Sequence, residues 1–303
     1  MYERILVPLD SSEVAELVLP YAEELAGRLG SEIRLLTVAP SSKEKEQQAA
    51  REYLERTAQA TRQKAGRHLD KAAGGAVSVG AVLLSGDTAE EIVQYAEKES
   101  IGLIIMATHG RSGIKRWAMG SVADKVVRAT GQPVALIRAR GVRSDLREKG
   151  VVNTMLVPLD GSDESEAVIP YVEELASKLK ASVILFQAVP RAYHIQAIAD
   201  GVAQIPYSDD EMQPLKAGAD AYLSKVASRL ADKGISTDQR SRIGKAAEEI
   251  IKVGDELHSD LVAMSTHGRS GIDRWVMGSV ADKVLRGGNT PVMLMRVPEG
   301  KGE

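Results

Sequence analysis

The chain has 303 residues, with 39 Lys and Arg against 42 Asp and Glu for a formal net charge of −3. That length suits about two domains of 100 to 200 residues each, and the lack of a basic excess argues against a nucleic-acid partner. The sequence has no cysteine, which excludes disulfides, thiolate nucleophiles and Cys-built metal sites and fits a reducing compartment.

The N-terminal segment MYERILVPLD reads as a strand, with neither a basic, then apolar leader nor any later apolar run of roughly 18 residues. A cytoplasmic location and no membrane partner are therefore expected. Arg4 to Leu9 is a short apolar run ending in Asp10, and Ile33 to Val38 is a second run of the same kind; both read as buried strands. Between them Val14, Leu17, Val18, Tyr21, Ala22, Leu25 and Leu29 recur at helical spacing. Pro20 falls inside that helix and predicts a bend, as Pro170 does later in the chain. Lys43 to Lys71 suits a second helix, Val77 to Leu84 a third strand, Ala89 to Ser100 a third helix and Leu103 to Ala107 a fourth strand. Gly120 to Ala129 reads as a fourth helix and Pro133 to Arg138 as a fifth strand.

The same unit then repeats. Leu6-Val7-Pro8-Leu9-Asp10 recurs 150 positions later as Leu156-Val157-Pro158-Leu159-Asp160. MATHGRSGIKRWAMGSVADKVVR from Met106 recurs 158 positions later as MSTHGRSGIDRWVMGSVADKVLR from Met264. Eight extra residues must enter the second copy between these blocks, and Tyr193 to Pro214, which matches nothing in the first copy, is the expected place. Ala139 to Gly150 is charged, carries two glycines and reads as an exposed connection. The expected organisation is a first domain at 1–140, a linker at 141–150 and a second domain at 151–298. Strands alternating with helices imply a parallel sheet covered on both faces, so each half is read as a doubly wound α/β domain. Ligands in such sheets sit beyond the carboxyl ends of the strands, which points to Asp10 and Asp160 and to the loops after Ala107 and Ser265.

In each copy a glycine-rich loop follows the fourth strand, and a Gly-Ser pair opens the next helix. Glycine admits a close approach of backbone to ligand, and a helix N-terminus offers unpaired N–H groups with a partial positive charge, so both features suit an anion. A plain strand-to-helix turn is the competing reading, and the duplication together with the strand-end Asp weighs against it. His109 and His267 could touch phosphates or be held by hydrogen bonds to backbone; His68, His194 and His258 lack metal-ligand spacing. Trp117 and Trp275, with Met119 and Met277, are expected to pack the loop against the sheet. Neither a P-loop nor a dinucleotide glycine fingerprint occurs. Ser112-x-x-Lys115 has only Ser270-x-x-Asp273 in the second copy, so no catalytic serine is assigned.

These motifs resemble the universal stress protein family, over nearly the whole chain as two tandem copies. The family pattern G-x2-G-x9-G-[ST] is matched in its later part by Gly110, Gly120 and Ser121 and by Gly268, Gly278 and Ser279, while Ala107 and Ser265 replace its first glycine. The resemblance implies an adenine-nucleotide site in each repeat, holding ATP alone or with Mg or Mn. Asp10 and Asp160 would accept from adenine or ribose donors, and Val38 and Ala188 would line the base. His109, Gly113 and Val122, with His267, Gly271 and Val280, complete the two implied sets. It further implies sheet order 3-2-1-4-5 and pairing of the repeats through their fifth strands, with a homodimer of the whole chain left open. The function expected is that of an ATP-binding stress-response or regulatory protein. Two other readings stay open: a slow ATPase, for which Asp10, Asp160 and the two loop histidines are the only candidate groups, and a nucleotide-free scaffold, if Ala107 and Ser265 close the pocket.

Overall fold

A computed structural model describes residues 1–39, 43–68, 76–108, 119–138, 150–198, 201–267 and 277–297. The first repeat contains β1 (Arg4–Pro8), α1 (Glu13–Glu16), α2 (Leu19–Leu29), β2 (Glu32–Ala39), α3 (Glu44–Ala65), β3 (Val79–Ser85), α4 (Thr88–Lys98), β4 (Leu103–Ala107), α5 (Ser121–Ala129) and β5 (Val134–Ile137). The second contains β6 (Thr154–Pro158), α6 (Asp163–Glu166), α7 (Ile169–Leu179), β7 (Ser182–Val189), β8 (Tyr193–Ile198), β9 (Gly201–Pro206), α8 (Asp209–Ala231), β10 (Thr237–Ile243), α9 (Ala246–Glu256), β11 (Leu261–Ser265), α10 (Ser279–Gly287) and β12 (Val292–Met295).

The two halves share one ten-stranded sheet, ordered β10-β7-β6-β11-β12-β5-β4-β1-β2-β3. Each half is parallel and follows the order 3-2-1-4-5 in its own strands. The halves join antiparallel through their fifth strands, Val292 opposite Leu136 and Met293 opposite Ala135. This seam removes what would otherwise be two exposed edges, and backbone pairing across it makes one sheet from two repeats.

Side chains alternate across the sheet, so both faces must be covered. Ile5 and Val7 enter one apolar core with α2, α3, α7 and α8, while Leu6 enters a second core with α4, α5, α9 and α10. Burial on both sides is why the strands read as unbroken apolar runs and not as alternating ones. Both cores contain residues of both repeats, so packing crosses the seam on each face.

Reciprocal contacts reinforce it. Both carboxylate oxygens of buried Glu24 accept from the Val151 N–H at 2.9 Å. Its counterpart Glu174 accepts from the Met1 amino group at 2.9 Å, so each repeat's second helix holds the start of the other repeat. The Tyr2 hydroxyl donates to the Tyr171 carbonyl at 3.1 Å, and the Arg138 guanidinium donates to the Gly288 carbonyl.

The structure corrects the reading of Pro20 and Pro170. No continuous helix bends at either residue; the chain breaks into two helices, and each proline stands in the first turn of the second one, where α2 begins at Leu19 and α7 at Ile169. A first-turn N–H has no intrahelical partner, so proline costs nothing there.

The insert is also more than eight added residues. Tyr53 and Tyr222 are counterparts, bonding Glu16 at 2.9 Å and Glu166 at 3.0 Å. Tyr53 lies 14 positions beyond the end of β2, whereas Tyr222 lies 33 beyond the end of β7. The second copy thus gains 19 residues before this tyrosine and recovers 11 of them by a shorter path to its next strand. The added residues build the β8–β9 hairpin, paired from Tyr193 with Pro206 to Ile198 with Gly201, and the first turns of α8. Among the described residues no helix is long and apolar enough to cross a membrane.

Candidate functional site

Each repeat has a cavity at the carboxyl ends of its central strands. The first has a volume of about 280 Å³ and is bounded by the ends of β1, β2 and β4 and by the N-termini of α4 and α5. The second has a volume of about 180 Å³ in the equivalent place. Asp10, Val38, Ala107, Gly120, Ser121 and Val122 all line the first. Asp160, Ala188, Ser265, His267, Gly278, Ser279 and Val280 line the second. Thus Ala107 and Ser265 border open cavities. His109, Gly110 and Gly113, with Gly268 and Gly271, lie outside the described residues, as do Trp117, Trp275 and the linker at 141–149.

Asp10 is fixed by the turn that follows it. One carboxylate oxygen accepts from the Ser12 N–H at 3.0 Å and from its hydroxyl at 2.5 Å. Ser12 in turn caps α1 by accepting from the Ala15 N–H at 3.1 Å. Asp160, Ser162 and Ser165 repeat all three bonds at 3.0, 2.5 and 3.1 Å. The intervening residue adopts a left-handed conformation in both copies, φ 64° at Ser11 and 82° at Gly161. A short aspartate accepting from the residue two positions on is an Asx-turn, which holds the carboxylate at the strand end at little entropic cost.

The opposite wall is an open helix end. Ser12, Asp87, Ser162 and Ser208 cap their helices with side-chain oxygens, but α5 and α10 begin after Gly120 and Gly278, which supply no side-chain cap. Their first-turn N–H groups therefore face the cavity without a side-chain acceptor, where the helix dipole favours an anion. The glycines also bond the strand ends, and Gly278 meets a local steric demand. The Gly120 N–H donates to the Thr108 carbonyl at 2.7 Å, and that of Gly278 to the Thr266 carbonyl at 2.8 Å. A Cβ on Gly278 would lie 2.6 Å from the Thr266 carbonyl oxygen. The pair of bonds pins the strand end against the helix start.

The loop side chains sort as follows. Ser265 donates its hydroxyl to the His267 carbonyl at 2.6 Å, and the His267 ring bonds the Thr266 hydroxyl through Nδ1 at 3.0 Å. Met277 is buried in the core that contains α10, and Met119 packs half-buried against the same core.

Sequence reading missed part of the walls. Thr88 and Ile92, and Ala246 and Ile250, bring α4 and α9 to the two cavities, with Leu36 and Phe186 on the second strands. The helix α4 itself was read from the sequence, but nothing in that reading placed its first turn at the cavity. The pairs Tyr53–Glu16 and Tyr222–Glu166 were missed too, since 37 and 56 residues separate their members. Burial raises the Tyr53 and Tyr222 hydroxyls well above the ordinary tyrosine range, and the bonded glutamates raise them further. Both phenols stay protonated and act as donors. No group of three or more His, Asp or Glu that could hold a metal occurs among the described residues.

A model of the Universal stress protein family matches residues 1–138 and 152–296. A universal stress protein of Methanocaldococcus jannaschii is 28% identical over 145 residues, which cover 48% of this chain and 82% of that protein. One of Mycobacterium tuberculosis is 26% identical over 206 residues, covering 64% and 61%. Among solved structures, a universal stress protein from Archaeoglobus fulgidus aligns over 98% of this chain and 99% of its own, with a TM-score of 0.70 and 20% identity.

Proposed function

Because the chain belongs to the universal stress protein family as two tandem copies, we propose that it binds one adenine nucleotide, ATP, in each repeat and acts as a regulatory stress-response module. The observation that carries this reading is the pairing, in both cavities, of a turn-locked strand-end aspartate with a helix N-terminus that has no side-chain cap. A nucleotide has a matching polarity. Its base would lie on the apolar wall of Leu36, Val38 and Ile92, or of Phe186, Ala188 and Ile250. Its ribose hydroxyls would donate to Asp10 or Asp160, and its phosphates would accept from the N–H groups opening α5 or α10. A magnesium or manganese ion would ride on the phosphates and neutralise their charge. The cysteine-free composition supports a cytoplasmic home.

Calorimetric titration with ATP tests this, and two nucleotides per chain are expected. Hydrogen bonds to a charged acceptor are worth about 1.5 to 3 kcal/mol, and 1.4 kcal/mol is about tenfold in affinity. Asp10→Ala should therefore weaken the first site about tenfold to a hundredfold and leave the second unchanged, with Asp160→Ala doing the converse. A wild type that binds one nucleotide or none, or a double variant that binds like wild type, removes the assignment.

A further inference from the structure

The second repeat carries a groove that is partly walled by its added residues, which have no counterpart in the first repeat. It has a volume of about 1120 Å³ and lies over the carboxyl ends of β6, β7 and β10, between α8 and the start of α9. Asp160, Ala188 and Ala246 line both this groove and the second cavity, so the two adjoin. Small-molecule sites usually measure about 300 to 1,000 Å³. Both cavities, at about 280 and 180 Å³, fall below that range, and the groove gives the second one adjoining room.

The groove's character follows from the insert. Pro190, Tyr193 and Leu215 form an apolar and aromatic wall together with Val189 and Tyr222. In the first repeat only four residues separate β2 from α3, too few for the β8–β9 hairpin that brings Tyr193 into place. A polar signal accompanies the space. Gln187 lines the groove, and its side-chain oxygen is buried without a hydrogen-bond partner. In the first repeat the same strand position is Thr37, whose hydroxyl donates to the Leu9 carbonyl at 2.9 Å and is satisfied. Buried acceptors are rarely left unpaired, and those that are call for a partner.

We propose that the second repeat takes an adenine nucleotide extended through its ribose by a second planar, N–H-bearing group, while the first takes the unextended nucleotide. This rests on the nucleotide reading of the two cavities. Asp160, the ribose-side residue, stands at the junction, so a ribose substituent enters the groove. Its ring would lie against Tyr193, Tyr222 and Leu215, and its N–H would donate to Gln187.

The probe is ATP carrying an N-methylanthraniloyl group on its ribose, which supplies a fluorescent ring and an N–H. In the full chain with Asp10→Ala the second site is read, and with Asp160→Ala the first. The second site should bind the probe at least tenfold more tightly than it binds ATP, and the first should show no such gain. Gly218 lines the groove, and a Cβ there meets nothing within 4 Å, so the backbone accepts a side chain and Gly218→Trp directs a bulky ring at the groove, with an unchanged melting temperature as the control for folding. The variant should abolish the gain and leave ATP affinity unchanged, and Gln187→Leu should reduce the gain. Equal probe preference at the two sites, or a gain that survives Gly218→Trp, overturns the proposal while the nucleotide reading stands. Failure of ATP itself to bind the second site removes the nucleotide reading there, and this proposal with it.

Discussion

The two repeats agree at one end of their cavities and part at the other. On the α5 and α10 side, glycine, serine and the strand-end carbonyl bond recur at 2.7 and 2.8 Å. On the α4 and α9 side Ile92 recurs as Ile250, but Leu36 becomes Phe186, Val38 becomes Ala188 and Thr88 becomes Ala246, and at the residue before each helix Asp87 becomes Lys245. The sign of the charge at that one position therefore reverses, though each residue is paired, Asp87 with Lys125 at 3.4 Å and Lys245 with Glu248 at 3.1 Å. Backbone-built contacts demand glycine and one geometry, whereas a wall of side chains and loops admits many solutions. The anion end is thus the shared element of the repeats and the apolar end is where they individualise.

The largest expected effect lies where the repeats are one body. Met293 is 1% exposed and faces Ala135 across the seam. An uncompensated buried charge costs on the order of 3 to 5 kcal/mol, so Met293→Asp should lower the urea midpoint steeply, and Ala135→Asp should do the same from the other side. A midpoint that hardly moves in either variant would mean that the halves do not depend on this junction.

Gly278→Val comes next. Its Cβ would stand 2.6 Å from the Thr266 carbonyl oxygen, and overpacking of this kind costs about 1 to 3 kcal/mol. The variant should melt earlier and lose nucleotide from the second site, while the first site keeps its affinity; Gly120→Val should mirror it. Unchanged melting and two full-affinity sites would show that the loop ends need not close so tightly.

The smallest effect concerns the reciprocal ties. Burial alone would raise the Glu174 carboxyl, but hydrogen bonds from Lys178 and from the amino terminus outweigh it and hold the group below its ordinary 4.5. A depressed carboxylate contributes stability above the unfolded value and loses it as pH falls through the lower folded value. Wild type should therefore lose slightly more stability than Glu174→Gln between pH 7 and pH 3. Parallel losses in urea titrations at the two pH values would show that the tie contributes nothing.

Much of this was legible in the sequence, for physical reasons. Strands such as Leu103 to Ala107 announced themselves because a doubly covered strand is apolar at every position, and the duplication exposed Asp10 and Asp160 together. The two prolines misled because helical spacing continues across the break at Val18 and Val168, and periodicity alone does not register a change of axis. The hairpin was overlooked because Tyr193 to Pro206 repeats nothing in the first copy, although Asp200-Gly201 between two short alternating runs is a turn signal. The α4 and α9 walls stayed hidden because Thr88, Ile92, Ala246 and Ile250 reach the cavity only through the crossing of elements distant in sequence.

The antiparallel meeting of β5 and β12 within one chain has a consequence for how such a protein can change. Partners tied together in this way meet at an effective concentration on the order of millimolar, so their union survives any dilution of the protein itself. Two separate copies of one gene product would carry every alteration twice, once on each side of the axis. Here a lengthened connection or a reversed charge touches one half alone, and the other half keeps the original form as an internal reference. The hairpin beside Asp160, with no equivalent beside Asp10, is what that freedom looks like once it has been used.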